Sequence, residues 1–468
     1  MTDVTTLLCV TLWVGVVTWI IVEVVKDARS RHITAATLFI AISLVFINVG
    51  MFFRWLQTPP VERLGWPTDA FLVSTLGLFF FLLGKAVGSI RPSKPKFAIA
   101  ASPRVGLSNF TLAGARGLPF ACIVVLAASS LYFLARGSLP LLQGLSDLAA
   151  SGQISNGLVS SHRNARDSYS GTAVYLPGQG LLEAARYWGL PLVLLWSWIM
   201  IAKKRWRAMG RIFTAASIVL SVASGQRWPL MYLLVAVLLV GMYVFTWRGK
   251  SILRWAGLTL LSGVVLSALL GRGAQGISSV GAALQFGAEQ LASRLFLEQS
   301  LVPFISFQFS RESLLPDYAT TFTQNLMAYL PGEGASYPVT FSRVITGSTG
   351  FTAPPDFFTE AWINGGWAMV AVLPFVWGLL LSRATIGRSE SVAAVGYRTV
   401  WITVLGFSGI AGVSQSFSVL IVYVAIYVAQ FAGQTLASIA APDAPRRNRV
   451  TKSLRDPEPI ASRAGLSA

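Results

Sequence analysis

Three arginines and two carboxylates carry the chemistry open to this chain. Arg227 stands in Ser224-Gly225-Gln226-Arg227-Trp228-Pro229, between the apolar stretches 212–223 and 230–245. A cation at the edge of a bilayer is costly without an anionic partner, so it marks a functional site by default. Arg272, in Leu270-Gly271-Arg272-Gly273, and Arg294, in Ala292-Ser293-Arg294-Leu295, join it. Guanidinium forks bind phosphate oxygens bidentately and stay charged when partly desolvated, so three arginines near one membrane face suit a diphosphate at the headgroup level. The plainer alternative is that each snorkels to lipid headgroups or pairs with an acid such as Glu289 or Glu298.

The carboxylates follow a loop rich in Gly, Ser and Pro, in Pro354-Pro355-Asp356-Phe357-Phe358-Thr359-Glu360-Ala361-Trp362-Ile363-Asn364-Gly365-Gly366-Trp367. Asp356 and Glu360 are four apart and share a helix face. Asp356 can cap the helix, worth about 1 kcal/mol of ordinary stability. Glu360 lies one turn deeper and is harder to explain that way. Either can act as a general base towards a sugar hydroxyl. Gly365-Gly366 would let another backbone or a lipid chain approach closely. A further polar cluster, Ser160-Ser161-His162-Arg163-Asn164, can bind an anionic or sugar group or be a hydrated loop.

Nothing else in the chain resembles a soluble-enzyme motif. There is no Walker loop, dinucleotide fingerprint or zinc spacing. With two histidines, His32 and His162, a His-rich metal site is excluded, and neither a metal nor a cofactor is expected.

The elements that must position these residues are membrane helices. The chain has 468 residues, of which 54% are hydrophobic and 12% charged, and its mean hydropathy is +0.62. Apolar runs of roughly 17–25 residues recur from end to end, the length that crosses a hydrocarbon core. The composition predicts an all-α polytopic bundle of about eleven spans, at 4–25, 33–53, 70–90, 118–135, 185–202, 211–223, 229–247, 253–270, 357–381, 396–412 and 415–437. The last two are separated only by Gly412-Val413-Ser414 and can be one broken helix. Cys9 and Cys122 fall inside spans and read as small core residues. The first span lacks a cleavage pattern and is expected to remain a membrane helix.

Most of the 37 Lys and Arg lie in alternate loops, the stretch from Lys85 to Arg116 among them, and in the tail, and read as cytoplasmic anchors. The net charge of +18 therefore reports topology and not nucleic acid. The positive-inside rule puts the N-terminus outside and the C-terminus in the cytoplasm. Two long segments, 136–184 and 271–356, then face outwards, with short helices expected to cap the bundle. Residues 1–441 form the membrane domain. Residues 442–468 form a basic tail, predicted to be disordered and to lie near anionic lipid.

The motifs resemble those of a family. Ser-Gly-Gln-Arg227 before an apolar span is similar to the Gly-x-Arg element of bacterial O-antigen polymerases and ligases. The long outer segment leading to Phe-Phe-Thr-Glu360-Ala-Trp-Ile-Asn364-Gly-Gly-Trp resembles an element of Wzy-type oligosaccharide repeat-unit polymerases. The ligases' His-Asn pair is missing, and Ala353-Pro354-Pro355-Asp356 stands in its place, which favours polymerase over ligase. The resemblance implies a metal-independent GT-C-type glycosyltransferase in the bacterial cytoplasmic membrane. Its substrates would be oligosaccharides on undecaprenyl diphosphate, and its neighbours membrane lipids and chain-length regulator or flippase proteins. It assigns Arg227 and Arg272 to the diphosphate, Arg294 to diphosphate or acceptor, and Glu360 or Asp356 to base or sugar hydrogen bonding. Asn364, His162 and Arg163 fall to substrate binding. Tyr329, Tyr337, Trp362 and Trp367 can stack on sugar rings or anchor the interface.

The competing reading is a lipid-linked oligosaccharide flippase or other transporter. Such a protein should show buried charges near the midplane and broken helices. Glu23, near the inner end of span one, is the main charge away from the outer face, and Lys26 is its expected partner.

Overall fold

The structure is a computed structural model, and it describes residues 2–29, 33–90, 115–135, 182, 185–204, 206–223, 227–243, 245, 247, 249–270, 280–293, 296–297, 299–311, 356–384 and 392–440. Among these residues the secondary structure is helical, without strands. The helices are α1 (Thr2–Arg29), α2 (Ala35–Ser43), α3 (Val49–Gln57), α4 (Pro60–Arg63), α5 (Trp66–Ile90), α6 (Leu118–Ala135), α7 (Leu190–Ala202), α8 (Arg207–Ala223), α9 (Arg227–Tyr243), α10 (Gly249–Leu270), α11 (Val280–Ser293), α12 (Gln299–Arg311), α13 (Phe357–Leu381), α14 (Val392–Ala411) and α15 (Val413–Ala440). A π-turn at Leu44–Asn48 joins α2 and α3 into one rod, and another at Ala185–Gly189 leads into α7.

Eight helical stretches among the described residues are long and apolar enough to cross a membrane. They correspond to predicted spans one to five and nine to eleven, so the chain is a multi-pass membrane helical protein. Predicted spans six, seven and eight are helices too, as α8, α9 and α10. The apolar stretch of α9, Met231–Met242, is the shorter kind. Gly412, at φ +77°, separates α14 from α15, so the last two predicted spans are distinct helices.

Two cores hold the bundle. One gathers α1, α2, α3, α5, α12 and α13 around Phe39, Phe71, Phe81, Phe357 and Phe358. The other gathers α6, α7, α8, α9, α14 and α15 around Trp196, Met200 and Val240. Trp188 and Trp401 pack against both. Lipid tails are as apolar as these side chains, so close packing and interhelical hydrogen bonds carry the association. Asn48, at the π-turn, is an example: it accepts from Trp13 Nε1 at 2.7 Å and donates to Ser74 Oγ at 3.0 Å and Thr75 Oγ1 at 3.2 Å.

The ninth predicted span departs most from expectation. Its two ends cannot be ends of one rod. A straight helix would separate Phe357 from Trp377 by about 30 Å, at 1.5 Å per residue. Their rings instead stack with centroids 6.1 Å apart. The backbone leaves helical values at Gly365 (φ −171°, ψ 23°) and Gly366 (φ +60°, ψ −153°). Helix α13 is therefore a hairpin, with a first leg over residues 357–364 and a second over 367–381. The glycine pair that suggested close approach of a neighbour is the turn itself.

Packing fixes how deep the first leg goes. The Phe358 ring fills the space beside Gly77, where a Cβ would overlap it. Gly77 lies halfway along α5, so the leg starts near mid-depth and climbs to its tip at Gly365. Helix α12 lies against the same end of the bundle. Phe304 meets Trp66 at 5.0 Å and Phe307 meets Trp362 at 4.3 Å. Arg54 ties the start of α12 down, donating through Nε to Ser300 Oγ at 3.1 Å and through Nη2 to the Leu297 carbonyl at 2.8 Å. Segment 136–181 and the tail lie outside the described residues, as does most of 271–355.

A buried ion cluster sits at the opposite end. Lys85, expected among the cytoplasmic anchors, is only 5% exposed. Its ammonium bonds the Glu23 carboxylate and lies 3.0 Å from Asp27 Oδ2, which also accepts from Thr37 Oγ1 at 2.5 Å. Lys26 reaches Glu23 at 3.4 Å but is largely exposed, so the expected pair is the weaker one. Breaking a buried pair on one side leaves uncompensated charge. Lys85→Ala is expected to lower stability by on the order of 3 kcal/mol. Lys85→Met with Glu23→Gln and Asp27→Asn should recover most of that loss. Unfolding midpoints in detergent check both, and an unchanged midpoint for Lys85→Ala would count against a stabilising role.

Candidate functional site

The first leg of α13 carries the site. Asp356 is its N-cap, with φ −66° and ψ 171°, and Oδ1 accepts the Thr359 amide at 2.8 Å. This is why the helix starts there: a carboxylate satisfies an otherwise orphaned N–H of the first turn. Thr359 and Glu360 follow on the same face, and Asn364 one turn on. Asn364 Nδ2 donates to the Glu360 carbonyl at 2.6 Å, closing the end of the leg before the glycines. Asp356 is 0% exposed, Thr359 and Glu360 are 1% exposed and Asn364 is 6% exposed. Phe357, Phe358 and Ala361, on the other faces, are fully buried.

An apolar leg would need no special account at this depth. Two carboxyls, a hydroxyl and an amide on eight residues do, because buried polar groups are costly unless they are partnered or used. Irregular backbone at membrane depth is tolerated only inside protein or beside a water-filled cavity. The stripe runs from mid-depth at Asp356 to the tip at Asn364. It can hold the hydroxyls and ring oxygens of a polar ligand, and its carboxyls can take or give protons.

Arg227 opens α9, and its side chain lies outside the described residues. A chain of contacts links that helix to the seated leg. Tyr232, just over a turn into α9, meets Phe407 of α14 at 4.6 Å. The next residue, Ser408, accepts from Trp377 Nε1 at 3.1 Å, and Trp377 stacks on Phe357 beside Asp356. Arg272, Arg294, His162, Arg163, Tyr329 and Tyr337 lie outside the described residues.

Comparison with protein-family models, with curated proteins and with solved structures returns no match for this chain.

Sequence reasoning passed over one residue of the same kind as Arg227. Arg186 opens the apolar run at 185–202 and is 0% exposed. Its guanidinium lies 4.5 Å from the Tyr132 ring, 4.9 Å from Tyr187 and 5.7 Å from Phe133. Tyr132 and Phe133 stand where segment 136–181 begins, and Arg186 where it has ended, so cation–π contacts staple the base of that segment. Trp188 and Tyr187 then meet Tyr232 at 4.4 Å and 6.5 Å, which ties the staple to α9. The criterion that selects Arg227, a cation at the edge of an apolar run, also selects Arg186. The Lys85 cluster carried a weaker signal, because its partner Glu23 is 62 residues away.

Proposed function

We propose that this chain is a membrane glycosyltransferase. It joins oligosaccharide repeat units carried on undecaprenyl diphosphate into a surface polysaccharide, on the outer face of a bacterial cytoplasmic membrane. The observation that carries the reading is the buried stripe Asp356, Thr359, Glu360 and Asn364 on a re-entrant leg. In the proposed transfer an acceptor sugar hydroxyl attacks the anomeric carbon of the growing chain, and lipid diphosphate leaves. Glu360 takes the hydroxyl proton, and Asn364 hydrogen-bonds the sugar. Arg227, with Arg272 and Arg294, meets the charge that develops on the leaving diphosphate. The resemblance to repeat-unit polymerases supports the same assignment.

A second reading, a transporter of lipid-linked oligosaccharide, is favoured by a specific pair of observations. Asp356 lies near mid-depth on a helix broken at Gly365-Gly366, and Lys85 is buried with Glu23 and Asp27. Broken helices with charged groups at such depth are how transporters build their sites.

A deletion strain separates the two. Loss of a polymerase leaves single repeat units on the outer side, whereas loss of a transporter traps lipid-linked units in the inner leaflet. Arg227→Ala and Arg227→Lys are both expected to insert normally and to give single-repeat glycan on gels. Lysine keeps the charge but not the planar fork that meets two phosphate oxygens. Long surface glycan from both variants removes Arg227 from the site.

A further inference from the structure

Asp356 is more deeply isolated than an N-cap needs to be. Its carboxyl has no accessible surface. Oδ1 accepts the Thr359 amide, and among the described residues Oδ2 accepts no hydrogen bond. Among the described residues no cation forms an ion pair with it. Aromatic rings pack around the start of its leg: Phe39 meets Phe357 at 5.1 Å and Phe358 at 5.9 Å, and Trp377 stacks on Phe357. An ionised carboxylate in such surroundings is so costly that the group takes up a proton instead.

Among the described side chains, the ionisable groups on the surrounding elements do not relieve this. On its own leg there is Glu360, one turn along, and the second leg has none. Helix α5 carries Asp69 near its start and Lys85 near its end, and Lys85 is held by Glu23 and Asp27. Helix α3 carries Arg54, which is bonded to Ser300 and Leu297. Helix α14 carries Tyr397, bonded to Gln430, and the exposed Arg398.

We propose that Asp356 is a proton-binding site. The carboxyl is the neutral acid while the first leg is seated among α2, α5 and α14, and it releases its proton to water as the leg withdraws. Seating the leg thus takes up one proton, and the O–H bond formed on Oδ2 is the one broken on release. The turn at Gly365-Gly366 is the point about which the leg moves. The site does not depend on which reaction the chain performs. In the transfer proposed above, it leaves Glu360 as the base.

Two measurements on the full-length protein in detergent test this. With Cys9 and Cys122 replaced by Ala, Ile363→Cys reports on the leg through its rate of labelling by a maleimide over a pH series. Each rate is divided by that of the same variant carrying Asp356→Asn, which cannot ionise, so the thiol's own titration cancels. The ratio is expected to rise about tenfold per pH unit as the carboxyl titrates. A ratio that stays flat across the series overturns the proposal. Infrared spectroscopy of the unlabelled protein gives the second readout, which does not require the Asn variant to fold. A carbonyl stretch of a protonated carboxyl is expected at pH 5, shifted in Asp356→Glu and lost in Asp356→Asn where that variant folds. A spectrum at pH 5 without a band sensitive to Asp356→Glu also overturns it.

Discussion

Glu360→Gln is expected to insert and fold like the parent protein and to lower glycosyl transfer by about 100-fold to 10,000-fold, the range lost with a positioned acid or base. Glutamine keeps the length and shape of the side chain, so the first leg stays seated, and Asn364 keeps its bond to the backbone carbonyl of residue 360. What is removed is the ability to accept a proton. The measurement is transfer between lipid-linked repeat units by purified protein in proteoliposomes, with the melting midpoint recorded in parallel. Two results separate the causes. An unchanged midpoint with lost transfer assigns Glu360 to the reaction. Retained transfer removes it from the base role and leaves the stripe as structure or as part of a transport path.

Gly366→Ala is expected to destabilise the hairpin of α13 through its backbone angles alone. Gly366 has φ +60° and ψ −153°, a region open to almost no residue but glycine. An added Cβ would meet nothing within 4 Å, so the penalty is backbone strain alone, about 1–3 kcal/mol. Gly365 provides the contrast. Its φ of −171° is ordinary extended backbone, but a Cβ there would sit 2.9 Å from Met369 Cβ. Gly365→Ala should therefore be relieved by Met369→Gly, whereas Gly366→Ala should not. Thermal midpoints of the three single variants and of the two double variants check this. If Met369→Gly rescues both, or neither substitution lowers the midpoint, the hairpin is not held in the way the dihedral angles imply.

The hairpin also shows where reading the sequence stops. Length and hydropathy over 357–381 are those of a single span, and they mark the right residues as helical. They cannot register that the helix doubles back, because a run of apolar residues has the same composition whether straight or folded. Gly365-Gly366 was visible, but two glycines in an apolar run also mark a close helix contact. What separates the two is a ring contact between residues 20 apart, which exists only in three dimensions.

Arg186 and Lys85 teach the same lesson from opposite sides. Both are cations near the end of an apolar run. The sequence sorted cations by the loops they neighbour, which treated Lys85 as an anchor. Burial decides otherwise, since Lys85 turns inwards to acids brought from α1. Arg186 is enclosed by rings from residues 132, 133 and 187, an arrangement that no local window contains.

The sequence by itself determined that this is an all-α multi-pass membrane protein, where most helices lie, and which short stretch carries acids beside an amide. Hydrocarbon imposes that legibility: a helix that crosses it must be apolar for about 20 residues, and every polar exception stands out. Tertiary structure alone decided that α13 folds back, that Asp356 lies near mid-depth and that Lys85 meets Glu23 and Asp27. Those outcomes depend on which faces of distant helices pack together. Packing is set by shape and by the partnering of buried polar groups, and neither is written in the hydropathy of one segment.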